Sequence, residues 1–184
     1  MRLAEFNAIK LYHGDDHGTT DLIPHWMYHD DANAQEGVGI YFTPNLEAAK
    51  GYGSKISSIT LSGTQRSRIA PSRARTSDYI NQQQGTALIT EIGKAHEDLW
   101  YLMTDYGIPI TEPEEVEDYH YNDLFHAMAG NELRGFQIAL ASETSTTAFV
   151  AAWNKYVPIL GLYEEESQFY SIINTGITAK PENF

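Results

Sequence analysis

Two tyrosines eleven positions apart, Tyr41 and Tyr52, stand in the stretch GVGIYFTPNLEAAKGYG, residues 37 to 53, with Gly37, Gly39, Gly51 and Gly53 around them. Two electron-rich rings facing a common slot attract a flat cationic ring, each by about 0.5–2 kcal/mol. Glycines at 37 and 39 leave main chain that a ligand can approach closely. The alternative is that both tyrosines are half-buried packing residues, the usual place of tyrosine. Composition alone does not choose between the two.

The histidines offer a second chemistry. His13 and His17 flank Asp15 and Asp16 in HGDDH, and His25 and His29 repeat the spacing in HWMYHDD. Imidazoles four apart on a helix can share a divalent metal. His13-Gly14 sits where a strand breaks, however, and the second pair lacks a third ligand at useful spacing, so turn and surface histidines are expected and no metal is assigned. Glu164, Glu165 and Glu166 read as a charged turn between two strands. Gly-x-Ser-x-Gly, phosphate-loop and dinucleotide fingerprints are missing, which removes the commonest hydrolase and phosphate-holding devices. Without cysteine there is neither a disulfide framework nor thiolate chemistry, a composition that suits a reducing cytoplasm.

Strands and helices must position these groups. AIKLYHG, VGIYFT and KISSITLSG alternate as strands; Thr43-Pro44 opens a helix running from 44 to about 52 and closed by Gly51 and Gly53. The middle of the chain is helical: TALITEIGKAHEDLWYLMTDYG places Leu88, Ile92, Leu99 and Met103 near one face, and after the acidic connector TEPEEVED three further helix-period segments follow. PILGLY and QFYSIIN return to strand. The expected fold is therefore α+β, one domain over residues 1–184, with the first and last segments sharing sheet and a helical insertion at about 77–156.

A net charge of -13 argues against a broad phosphate-binding surface, although four of the twelve basic residues, Arg66, Arg68, Arg73 and Arg75, cluster in RSRIAPSRAR. A solvated loop is the simpler reading of that cluster; a basic arm meeting a diphosphate or an acidic partner is the other. No stretch approaches the roughly 18–20 apolar residues of a membrane span, and the start lacks the apolar core of a signal peptide. A soluble, cytoplasmic protein is expected.

LYHG, then GVGIYFTPNLEAAKGYG and SKISSITL, resemble the N-terminal half of the ADP-ribosyltransferase superfamily, in its His-Tyr-Glu branch of diphtheria-type toxins, poly(ADP-ribose) polymerases and phage-encoded transferases. LGLYEEESQFYSIINTGI resembles that branch's last strands. The likeness covers roughly residues 9–62 and 157–178 and none of the helical middle. It implies a split mixed β-sheet core and NAD as substrate. In its terms His13 hydrogen-bonds a ribose hydroxyl, the Gly14 and Gly39 backbones and Phe42 line the cofactor, and Tyr41 and Tyr52 bracket nicotinamide. The family cleaves the nicotinamide–ribose bond through an oxocarbenium-like species steadied by a carboxylate. Here Gln168 falls at the family's glutamate, and Glu166, two residues earlier on what would be the same strand face, is the alternative carboxylate. The implied activity is transfer of ADP-ribose to a macromolecular acceptor, a protein before a nucleic acid, of the toxin or effector type. The alternative is an inactive fold presenting an acidic surface to a basic partner.

Overall fold

The computed structural model describes residues 8–18, 20, 37–95, 99–143, 146–173 and 177–183. These fall into two compact units: one from Met1–Pro24, Gly39–Pro71 and Ile159–Phe184, the other from His25–Val38 and Ser72–Pro158. Seven strands and eight α-helices occur among the described residues, a mixed α+β protein with two sheets.

All seven strands belong to the first unit. Strand β1 (Ile9–Asp15) pairs antiparallel with β3 (Lys55–Leu61), which pairs antiparallel with β7 (Lys180–Glu182). The second sheet runs β2 (Ile40–Phe42), β6 (Phe169–Ile172), β5 (Gly161–Glu164), β4 (Ile69–Pro71), and only β4–β5 is parallel. A bridge from Tyr12 to Thr43, closed by reciprocal hydrogen bonds of 2.8 and 2.9 Å, joins the two sheets at β1 and β2. Leu11, Ile40, Phe42, Ile59, Leu61 and Ile172 bury together as the core of this unit. β3 lies between two strands with Ile56, Ser57, Ser58 and Ile59 all buried. Its ISSI interior is thus covered on both faces, where the sequence reads as simple alternation.

Helix α1 (Leu46–Lys50) is shorter than the expected 44–52, and its cap is Asn45. The Asn45 Oδ1 accepts from the amides of Glu47 and Ala48 at 3.0 and 3.2 Å. Thr43 cannot serve there because its backbone is committed to the bridge with Tyr12; its hydroxyl instead accepts from the Asn45 amide at 3.2 Å. The Arg66–Arg75 stretch is also more ordered than a solvated loop. Arg66 ends α2 (Gly63–Arg66), which Ser62 and Gln65 close with a reciprocal capping box, and Ile69–Pro71 forms strand β4.

The second unit holds α3 (Thr76–Tyr79), α4 (Gln82–Ala95), α5 (Leu99–Asp105), α6 (Asp118–Met128), α7 (Leu133–Glu143) and α8 (Thr146–Tyr156). Leu88, Ile92, Leu99 and Met103 are buried as their periodicity implies, but on two helices where one was expected. Helix α4 packs on α6 and α8. Glu91 of α4 accepts from the Lys155 ammonium at 2.7 Å and from the Tyr156 hydroxyl at 2.6 Å. The acidic connector is partly spent on local turns: Glu115 accepts from the Thr111 amide and hydroxyl, and the Glu117 amide donates to His120 Nδ1 at 2.9 Å.

Candidate functional site

His13, Gly14, Gly39, Tyr41, Phe42, Tyr52, Glu166 and Gln168 all lie in the first unit, whereas Gly37, Arg73 and Arg75 belong to the second. His13 stands near the end of β1. Its Nδ1 donates to the Tyr41 carbonyl across to β2 at 2.8 Å, and its Nε2 meets Asp15 Oδ2 at 3.2 Å. The two contacts hold the ring between β2 and the end of its own strand. Asp15 is itself fixed, because its Oδ1 accepts from the amides of His17, at 2.7 Å, and Gly18. The His13 ring leans on Phe42 with centroids 5.6 Å apart.

The next aspartate holds the other side of the site. Asp16 Oδ1 accepts from the Ser54 amide at 3.1 Å, tying the end of β1 to the turn that carries Tyr52. Gly53 comes so near the Asp15 backbone that a side chain at 53 would overlap it. Tyr52 is 66 % exposed, and its ring stands edge-on against Phe169, centroids 5.6 Å apart at 85°. The tyrosine that ends the α1 segment is therefore docked on the first residue of β6.

Strand register decides which faces these groups share. Tyr41 pairs with Ser171, Leu162 pairs with Ser171 on the other side, and Glu164 pairs with Phe169. Successive side chains alternate, so Tyr41, Ser171, Phe169, Leu162 and Glu164 lie on one face of the second sheet. Ile40, Phe42, Tyr170 and Ile172 lie on the other, in the core. His13 thus meets Tyr41 through its backbone carbonyl, and the Tyr41 side chain lies on the sheet face of Phe169, against which Tyr52 rests.

Four expectations are corrected. Gly39 and Gly37 do not open the main chain to a ligand: a Cβ on Gly39 would overlap Ser171 Oγ, and one on Gly37 would overlap Gln137 Oε1. Gly14 likewise is glycine because the Ala49 carbonyl of α1 fills the space above it. Glu166 is not on a strand, since β5 ends at Glu164 and residues 165 to 168 form an exposed turn. Gln168 closes that turn immediately before β6 and is the single non-glycine residue with positive φ, +58°, among the described residues.

No group of three or more metal-ligating side chains occurs among the described residues. The Asp15 carboxylate goes to the His17 amide, and His25 and His29 lie outside the described residues. No described helix is long and apolar enough to cross a membrane.

The sequence reading missed Asp15, Asp16 and Phe169. Asp15 was legible: in a strand, residues i and i+2 share a face, which puts it beside His13. Ser57 belongs with them, as the cross-strand partner of His13 on β3; it is 2 % exposed and its hydroxyl has no hydrogen-bond partner. Comparison of the chain with protein-family models, with curated proteins and with solved structures gives no match. The likeness to the transferases accordingly rests on the order and spacing of residues within this chain.

Proposed function

We propose that the protein is an ADP-ribosyltransferase of the His-Tyr-Glu type, which takes ADP-ribose from NAD, releases nicotinamide and modifies a macromolecular acceptor, a protein in the first instance. One observation carries the reading. The two stretches of the resemblance, about 100 residues apart in the chain, fall in one compact unit in which β2 pairs with β6 and Tyr52 packs on Phe169. The sheet pair joined at Tyr12 and Thr43 corresponds in this reading to the split core of the family.

In this account the exposed Tyr52 ring, with Phe169 behind its edge and Tyr41 on the same sheet face, receives the pyridinium by cation–π attraction. His13, already oriented by the Tyr41 carbonyl, turns Nε2 toward a ribose hydroxyl, and Asp15 is the acceptor that the hydroxyl must share or replace. Phe42 supports the imidazole rather than touching ligand. Gln168 sits where the terminal strand begins, able to hold a hydroxyl but without charge. The absence of cysteine accords with activity in the cytoplasm of a host cell, as expected of an effector.

Intact-mass spectrometry of suspected acceptors after exposure to the protein and NAD tests the reading through the gain of one ADP-ribose. No transfer, no nicotinamide release and no NAD binding would together remove it. A second reading, a non-catalytic fold that presents acidic surface to a basic partner, draws on the exposed turn at Glu165, Glu166 and Gln168 and on the charge of -13. Variants His13→Ala and Tyr52→Ala separate the two: unchanged biological effect with loss of NAD binding would favour the second.

A further inference from the structure

Cleavage of a nicotinamide–ribose bond builds positive charge at the anomeric carbon, and a fixed carboxylate shielded from water offsets it far better than a neutral amide. Neither sequence-designated residue meets that requirement. Gln168 is uncharged, and Glu166 is exposed in the turn, where water screens its charge. Glu165 is exposed as well.

Glu164 differs from all three. It is the last residue of β5, only 5 % exposed, and directly opposite Phe169 in the β5–β6 ladder. By strand alternation its side chain lies on the face of Phe169 and Tyr41, where Phe169 in turn carries the Tyr52 ring. Its Oε1 accepts from the Glu166 amide at 3.3 Å, so the turn that exposes Glu166 also folds its backbone back onto the Glu164 carboxylate. A carboxylate kept out of water and fixed by a backbone donor beside the aromatic residues is the arrangement the chemistry asks for.

We propose that Glu164 supplies the charge that stabilises the ribosyl cation, in place of residue 168. The inference rests on the transferase reading. In the step, the bond between the anomeric carbon and the pyridinium nitrogen breaks with both electrons going to nitrogen, and neutral nicotinamide departs. The carboxylate of Glu164 offsets the cation left on the ribose. A lone pair of the acceptor, or of water, then closes on the anomeric carbon, and the acceptor's proton passes to solvent.

The experiment uses the full chain with NAD and reads nicotinamide release by chromatography and NAD affinity by calorimetry, with circular dichroism as the fold check. Glu164→Gln is expected to bind NAD within about threefold of wild type while the turnover rate drops by roughly 100-fold or more. Glu166→Gln, in the exposed turn, is expected to change turnover by less than about tenfold. A folded Glu164→Gln protein with wild-type turnover overturns the assignment. Should Glu164→Gln fail to fold, Glu164→Asp decides: it keeps the charge but withdraws it by one methylene. A loss of tenfold or more in turnover at unchanged affinity supports the proposal, and unchanged turnover overturns it. A wild-type protein that neither binds nor cleaves NAD removes the transferase reading itself, an outcome distinct from active wild type with an indifferent Glu164→Gln.

Discussion

Replacing Gly14 by alanine tests the packing on which the site is built. The position a Cβ would take lies 1.9 Å from the Ala49 carbonyl oxygen and 2.8 Å from its carbon, both backbone atoms of α1. Ordinary contact begins near 3.4 Å, so the shortfall is about 1.5 Å, and no side-chain rotation supplies it. Helix α1 must retreat from β1 by roughly that distance or β1 must bend. Over-packing of this kind costs about 1–3 kcal/mol. At about 2–4 °C per kcal/mol for a chain of this size, the melting temperature is expected to fall by about 2–12 °C.

The shift also carries the Tyr52 turn away from Phe169, so on the proposed transferase function NAD affinity is expected to weaken beyond what the stability loss explains. Differential scanning calorimetry gives the first quantity and isothermal titration the second. Gly130→Ala is the matched control, because a Cβ there meets nothing within 4 Å and its φ is not left-handed; it is expected to be neutral or stabilising by up to about 1 kcal/mol. A Gly14→Ala protein that melts with the wild type would refute the close approach of α1 to β1.

Three further outcomes are expected. Gln168→Gly removes a left-handed side-chain strain at φ +58° and should stabilise the protein by roughly 0.5–1 kcal/mol in denaturant unfolding, after glycine's greater unfolded-state freedom is discounted; a loss of that size would show that the Gln168 side chain makes stabilising contacts. Gln137 is fully buried with neither its amide nitrogen nor its oxygen hydrogen-bonded, so Gln137→Met should raise stability by about 1–3 kcal/mol, and a fall in the unfolding midpoint would count against the burial described. Acid should loosen the sheet edge at β7. Glu182 is held below its ordinary carboxyl value of 4.5 chiefly by the hydrogen bond from Lys10 and then by that from Ser58. A depressed folded value means the stabilisation is complete above 4.5 and is lost as pH falls through the lower folded value. Hydrogen-exchange protection factors at β7 should therefore hold steady at neutral pH and fall only as pH drops below 4.5; a fall already near pH 6 would contradict the linkage.

The sequence showed the strands better than their partners. Alternation in IKLYHGD and the apolar run in FYSI mark β1 and β6 because those patterns are local. Strand β4 was invisible, since three residues between arginines carry no period and its parallel partner β5 lies some 90 residues away. The helix cap was misplaced by two residues because the bridge of Thr43 to Tyr12, a tertiary contact, outranks the local preference for threonine before proline. Glycine in the sequence marks a close approach without saying of what: bare backbone at 14, 37 and 39 admits neighbouring protein atoms, which no single stretch of sequence can announce. Glu164, Glu165 and Glu166 were read as one turn, and only the ladder separates the first of them, opposite Phe169, from the two in solvent.

The central claim is that the exposed Tyr52 ring, together with Tyr41, binds the nicotinamide end of NAD. Titrating NAD calorimetrically into wild type and Tyr52→Ala tests it most directly, since a side chain 66 % exposed can be removed with the fold intact. Saturable one-to-one binding, weakened about 2- to 30-fold by the loss of one cation–π contact, is expected. Absence of saturation in the wild type, or equal affinity in Tyr52→Ala, would contradict the account.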